Sequence, residues 1–249
     1  MDSSVGWSPG ASAGDGSSLP HVRHRIMWPL DPDTPTTDVA RWLLGAVLHR
    51  RLADGTHLSG RIVETEAYLG LDDAACHSFH GRRTPRVASM YLRAGHAYVY
   101  RIYGLHLCLN VVTGDEARPE AVLVRALAPL SGAARMRELR GRADDAARLC
   151  AGPARLTQAL AIGVDLDGHR LDAPPLWLVP GAPVDDVDVE VGPRVGLSAR
   201  VASRDWPLRF CVRGDPSVSR GPVGPRGSRG PERARAARRS RRPTRPREG

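Results

Sequence analysis

Lysine is absent, and all 36 basic residues among the 249 are arginine. Apart from its terminal amino group, the chain therefore has no amine with which to form a Schiff base. Long apolar runs are missing too, and the N-terminus lacks the basic-then-apolar order of a secretion signal, so a membrane partner is excluded and a cytoplasmic location is expected. Cysteine is scarce: Cys76, Cys108, Cys150 and Cys211 stand far apart with no Cys-x-x-Cys pair. That spacing argues against a zinc site or a disulfide framework and for four buried thiols. No internal repeat is present.

The net charge of +9 is unevenly distributed. Residues 220–249 hold eleven Arg and two Glu, itself +9, so residues 1–219 sum to zero. The body of the chain is not a globally basic nucleic-acid binder, and any such surface on it must be local. Composition divides the chain into a Ser/Gly/Pro-rich leader at 1–35, a folded domain at 36–219 and an Arg-rich tail at 220–249. Leader and tail are both expected to be disordered. Met27 is a plausible alternative start.

Within the domain, Thr36-Thr37-Asp38 can cap a helix through Val39, Leu43, Leu44 and Ala46. Val47–Leu52 reads as a strand turning at Asp54-Gly55, with Ile62–Tyr68 as its hairpin partner. Alternation on that second strand places Ile62, Glu64, Glu66 and Tyr68 on one face. Two carboxylates and an aromatic ring are poor core material, because an ionised carboxylate is costly to bury without a partner or a task. The bland account is a solvated edge strand with Glu64 facing an arginine.

His77–Arg93 reads as a long polar loop carrying Arg82, Arg83, Arg86 and Arg93, either a solvated surface or a phosphate-gripping one. Tyr98–Val112 reads as two strands around Tyr103-Gly104-Leu105-His106, with the glycine signalling a type II′ turn and Tyr103 and Leu105 at an exposed tip. Taken alone, that tip favours docking against a neighbouring loop. Ala121–Leu127 is an apolar strand interrupted by Arg125, which needs an anion from the protein or from a ligand. Ser131 is placed to cap a helix ending near Gly141. Gly152-Pro153 starts another, whose first amides could hold a phosphate. Leu176–Leu178, Arg194–Leu197 and Leu208–Val212 supply the last strands.

These segments together resemble the alkyladenine (3-methyladenine) DNA glycosylase family. The likeness rests on Arg61–Gly70 with His77-Ser78 and Thr84-Pro85-Arg86, then Tyr98-Val99-Tyr100, Tyr103-Gly104, Asn110 and Arg125-Ala126-Leu127. It continues in Gly152-Pro153, Gln158-Ala159-Leu160, Arg194-Val195-Gly196 and Pro207–Phe210. It runs in order from about Thr37 to Ser219. Val87, Phe79-His80, His106 and the Arg-rich tail depart from the family pattern.

The resemblance implies a mixed α/β (α+β) single domain, with a curved antiparallel β-sheet, surrounding helices and a protruding β-hairpin. It implies a monomeric enzyme without metal or cofactor, acting on double-stranded DNA that contains damaged purines and associated with the nucleoid through that DNA. Glu66 is then the general base, and Arg125 helps to hold the catalytic water and the lesion phosphate. Tyr68, His77 and Tyr100 sandwich a flipped base, and Asn110 clashes with the amino group of unmodified guanine. Tyr103, with Leu105 beside it, fills the vacated stack, while Arg82, Arg86 and Gly152 are candidate phosphate contacts. The missing lysine adds that the enzyme is monofunctional and leaves an intact abasic site.

Two alternatives stand beside this. Glu64 and Glu66, about 6.6 Å apart along a strand, match an inverting carbohydrate hydrolase's carboxylate spacing, although no Trp lies near them in sequence. A noncatalytic nucleic-acid-binding module on the same fold is the other.

Overall fold

The computed structural model describes residues 30–219. The expected disorder of the tail and of most of the leader, and Met27, lie outside them. Leu30 is buried in the main core and Arg118 hydrogen-bonds the Pro32 carbonyl. The packed chain therefore reaches ahead of the boundary that composition placed at residue 36.

In chain order the elements are α1 (Thr36–Trp42), β1 (Val47–Arg51), β2 (His57–Tyr68), β3 (Ala97–Ile102), β4 (His106–Val112), β5 (Ala121–Ser131), α2 (Ala133–Arg140), α3 (Ala146–Leu149), α4 (Pro153–Ala159), β6 (Leu176–Val179), β7 (Val189–Gly192) and β8 (Arg209–Val212). The strands form one curved antiparallel sheet in the order β3-β4-β5-β2-β1-β6, with β8 also on β2 and β7 on β8. β5 runs along one side of β2, while β1 pairs with its first half and β8 with its second. β2 is thus the interior strand on which the sheet is assembled, not an edge.

Alternation sorts the side chains into two layers. One face sends Ala67, Val99, Leu109, Val111, Val122, Val124 and Phe210 into the main core, where Val39, Leu43, Met136, Leu149 and Leu156 from the helical segments cover them. The other face carries Tyr68, Tyr98, Val112 and Ala121, packed with Met90 and Val87 of the segment between β2 and β3. That segment is not simply polar. It contains the 3-10 turns Gly70–Asp72, Phe79–Gly81 and Pro85–Tyr91, and the last of these buries Val87, Ser89 and Met90.

Five local expectations are corrected. Ile62 does not share a face with Glu64. The β2–β5 register slips on both sides of Glu64, which turns Ile62 into the main core, while Thr65 bonds the Ala40 carbonyl of α1. A β-bulge reverses the facing of the residues beyond it, and simple alternation could not foresee that. Thr36 lies inside α1 instead of capping it; its hydroxyl goes to Glu120 and Thr113. Ser131 ends β5, and Gly132, at positive φ, is the residue before α2. The hairpin tip has positive φ at both Tyr103 (49°) and Gly104 (72°), under a Leu105 N–H to Ile102 carbonyl bond. That is the type I′ pattern, not II′. Arg194–Leu197 is irregular chain, and the strand pairing with β8 is β7, which sequence patterning missed.

Gly45, between α1 and β1, sits at φ +87°, and a Cβ there would come within 2.1 Å of the Ala182 carbonyl oxygen. Both the backbone sign and the backbone approach demand glycine. Gly45→Ala should therefore lose about 2–3 kcal/mol of stability in urea unfolding. A loss below about 0.5 kcal/mol, the ordinary range for a neutral surface change, would show that these two segments do not meet so closely.

Candidate active site

Pairing across the sheet brings distant residues into one transverse row. Tyr98 opposes Asn110, Asn110 opposes Leu123, Leu123 opposes Glu66, and Glu66 opposes Arg209. The row crosses β3, β4, β5, β2 and β8, so pocket and acidic residues from well-separated stretches of the chain stand side by side.

Glu64 and Glu66 both have fully buried side chains, and Arg125 reaches both. Its Nε donates to Glu64 Oε1 at 2.8 Å, its Nη1 lies 3.2 Å from Glu66 Oε1, and its Nη2 donates to Ser219 Oγ at 3.3 Å. The anion that Arg125 required is therefore a protein carboxylate. Burial opposes the guanidinium charge, but the charges of Glu66 and then Glu64, with the hydrogen bond to Glu64, raise its pKa above the ordinary value. Glu64 also accepts from Arg209 Nε at 2.7 Å and from the Ser219 N–H and hydroxyl at 2.7 and 2.9 Å. Two guanidinium groups and Ser219 thus hold this carboxylate in place. An inverting hydrolase needs both acids free to exchange protons, so the two-carboxylate reading does not suit Glu64.

Glu66 has different partners. Oε1 accepts the Val195 N–H at 2.7 Å, and Oε2 accepts the Tyr68 hydroxyl at 2.9 Å. Burial, then the Glu66 charge, push the Tyr68 phenol well above its ordinary pKa, so it stays a donor. Behind the Tyr68 ring, 4.7 Å from its centroid, lies the Arg194 guanidinium. Arg194 and Asp73 form a buried ion pair, to which Ser203 adds a hydrogen bond. Burial pushes the Asp73 carboxyl up, but the Arg194 and Ser203 hydrogen bonds outweigh it, and its pKa ends below the usual value.

In front of Tyr68 is a cavity of about 110 Å³ lined by Tyr68, Ala75, Cys76, His77, Met90, Tyr98, Tyr100, Asn110, Ala121 and Leu197. Tyr98 and Tyr100 stack with centroids 5.0 Å apart, and His77 meets Tyr100 edge-on at 4.5 Å. Burial raises both phenols above their ordinary pKa. His77 Nδ1 bonds the Tyr98 hydroxyl at 2.8 Å, and the Asn110 amide donates to the Tyr98 carbonyl at 3.0 Å. Glu66 does not line the cavity; Tyr68 belongs to both, touching it through its hydroxyl.

The structure thus gathers Glu66, Arg125, Tyr68, His77, Tyr100 and Asn110. Arg86 is exposed at the cavity's flank, bonding the Arg101 carbonyl at 2.8 Å with its guanidinium 5.4 Å from the Tyr100 ring centroid. Arg82 is exposed nearby, and its carbonyl takes the Tyr91 hydroxyl. Gly152, at φ 132°, stands at the start of α4. Tyr103 and Leu105 are 87% and 77% exposed, so the tip docks on no neighbouring loop among the described residues. Sequence reasoning missed the roles of Asp73, Arg194, Val195, Arg209 and Ser219. Most lie in the resembling segments, but no pattern within a strand or loop states which side chain meets which. Among the described residues no helix is long and apolar enough to cross a membrane, and no three His, Cys, Asp or Glu are grouped as metal ligands.

Burial, then the nearby Arg86 and Arg82 charges, lower the His77 pKa to about 4 from 6.5. The imidazole is therefore neutral near pH 7. Because the unfolded chain takes up that proton first, the associated stability is complete above about pH 6.5 and is lost as the pH falls towards 4. At pH 5 the loss should be about 1–2 kcal/mol, allowing for partial exposure. Urea unfolding at pH 7 and pH 5 should differ less in His77→Gln than in the wild type. An equal difference in both would place the proton uptake elsewhere.

Comparison with known proteins bears on the whole arrangement. The family model for methylpurine-DNA glycosylase matches residues 31–216. The chain is 46% identical over 201 residues to the DNA-3-methyladenine glycosylase of Mus musculus, covering 75% of this chain and 59% of that protein. The human protein of the same name is 46% identical over 203 residues, 75% of this chain and 65% of its own length. This chain thus spans less than two thirds of those mammalian relatives. A putative 3-methyladenine DNA glycosylase of Oceanobacillus iheyensis is 42% identical over 186 residues, 75% of this chain and 91% of that protein. With a family model matched across the entire sheet and the buried acidic row at its centre, the chain belongs to the methylpurine-DNA glycosylase family.

Proposed function

We propose that the protein is a monofunctional DNA glycosylase. It flips alkylated purines, and deaminated ones such as hypoxanthine, out of double-stranded DNA and hydrolyses their N-glycosidic bond, initiating base excision repair. The observation that carries this reading is the Glu66 carboxylate, buried beside Arg125 and joined through Tyr68 to an aromatic cavity. The names of the relatives support the same chemistry.

An alkylated purine is already a good leaving group, because positive charge on the ring weakens the bond to the sugar. The protein has to unstack the nucleotide, hold the base and supply water with a negative charge next to the developing oxocarbenium ion. Glu66 supplies both the activated water and the charge. One oxygen is fixed by the Val195 amide and Arg125, and the other, next to the Tyr68 hydroxyl, takes the water proton. Arg125 balances the carboxylate without protonating it. Tyr68, His77 and Tyr100 stack on the base, and a neutral His77 adds no charge to repel a cationic purine. Asn110 closes the cavity floor against the amino group of guanine. Tyr103 and Leu105 enter the vacated stack from the hairpin tip, as apolar wedges do. Arg82 and Arg86 grip phosphates, so the body, neutral in total, presents a local basic rim. The Gly152 N–H is already donated to the Cys150 carbonyl and is not free for a phosphate. No cofactor is required, and one copy of the chain suffices.

A duplex oligonucleotide with a single hypoxanthine or 3-methyladenine analogue tests this, with base release read as alkaline strand cleavage. Wild type should release the base and Glu66→Gln should release it at least about 100-fold more slowly, the usual scale for a general base. Tight lesion binding without release by either chain would make it a noncatalytic binding module. Borohydride treatment during turnover should trap no protein–DNA adduct, since no lysine is present. A trapped adduct would overturn the monofunctional assignment.

A further inference from the structure

We propose that Ser219 is a positioning residue for the reaction, a clasp that sets the angle at which Arg125 meets Glu66. It lies just past the span matched by the family model, which stops at residue 216, and it is 6% exposed. Four of its hydrogen bonds converge on one network. The Ser219 N–H donates to Glu64 Oε2 at 2.7 Å and its hydroxyl to Glu64 Oε1 at 2.9 Å. Its hydroxyl oxygen accepts from Arg125 Nη2 at 3.3 Å, and its carbonyl accepts from Arg209 Nη2 at 3.2 Å.

The geometry gives the clasp its consequence. A guanidinium is planar, so holding two of its nitrogens fixes the direction of the third. Nε is held by Glu64 and Nη2 by Ser219, and the remaining Nη1 points at Glu66 Oε1. Ser219 also covers the second oxygen of Glu64, which would otherwise be buried without that donor. Ser219 is not among the residues lining the cavity, and its hydrogen bonds go to Glu64, Arg125 and Arg209, so its effect on the reaction passes through Arg125. Outer partners of this kind ordinarily change rates by about 10- to 100-fold.

The kinetic arm of the test rests on the glycosylase reading; the structural arm does not. Full-length wild type, Ser219→Ala and Ser219→Thr are compared in single-turnover release of hypoxanthine or a 3-methyladenine analogue, and in equilibrium binding to the same duplex. Ser219→Ala should release base about tenfold more slowly with lesion affinity within about twofold, because the cavity is untouched. Ser219→Thr keeps the hydroxyl and should recover the rate. A Ser219→Ala crystal structure should show Arg125 Nη1 turned away from Glu66. An unchanged rate in Ser219→Ala, or rate and affinity falling together without recovery in Ser219→Thr, would overturn the inference while leaving a glycosylase in place. Absence of base release from wild type would instead remove the glycosylase reading, and the crystal structure would still decide the clasp: an unmoved guanidinium overturns it.

Discussion

Two carboxylates stand on the same face of an interior strand, without side-chain exposure, and a single guanidinium touches both. Burying either charge alone would cost several kcal/mol, so neither glutamate could occupy β2 without its cation. Arg125 meets that requirement for both, and Arg209 adds a second positive charge on Glu64. The result is a buried group of two negative and two positive side chains that is neutral as a whole. Its two acids are nevertheless unequal. Glu64 accepts from Arg125, Arg209 and Ser219 and serves as the anchor, and Glu66 accepts from the Val195 amide on one oxygen and from the Tyr68 hydroxyl on the other.

The rest of the fold is arranged so that this group can exist. β2 needs neighbours on both sides along its whole length, and it gets them because β1 and β8 divide one side between them while β5 runs along the other. The bulge at Glu64 turns the second half of β2 so that its acids face away from the helices. The opposite face can then be filled with aliphatic side chains in the ordinary way. A second buried ion pair, Asp73–Arg194, backs the Tyr68 ring from outside the sheet and fixes the wall shared by the acid and the aromatic cavity.

Electrostatics and shape agree in the cavity. Its rings come from the end of β2, from alternate positions of β3 and from the turn after β2, and its only histidine among the lining residues is kept uncharged by burial. Positive charge is instead placed outside, on the exposed Arg82 and Arg86. The neutral aromatic interior is thus separated from a basic rim.

How much of this was legible in the sequence depends on the range of each interaction. The helix after Pro153, the turn at Asp54-Gly55 and the exposed tip at Tyr103 and Leu105 could be read locally, because turn chemistry acts over a few positions. The strand pairing could not: β1 pairs with His57–Arg61 of β2 and not with the expected Ile62–Tyr68, which β5 and β8 flank instead. The oddity of Glu64-Thr65-Glu66 was legible locally too, as was the need of Arg125 for an anion. Motifs in order supplied the family and pointed to Tyr68, His77, Tyr100 and Asn110. Tertiary structure alone decided the face of Ile62, since a bulge is set by pairing with β5 and not by the sequence of β2. It also decided how differently the two glutamates are held. The partners that settle this, Arg209, Ser219 and the Val195 amide, lie 129 to 155 positions away and meet β2 only when β8 and the final segment fold onto it. Sequence determines that charged groups on a buried strand must be matched; only the folded chain brings the matching groups within hydrogen-bond distance.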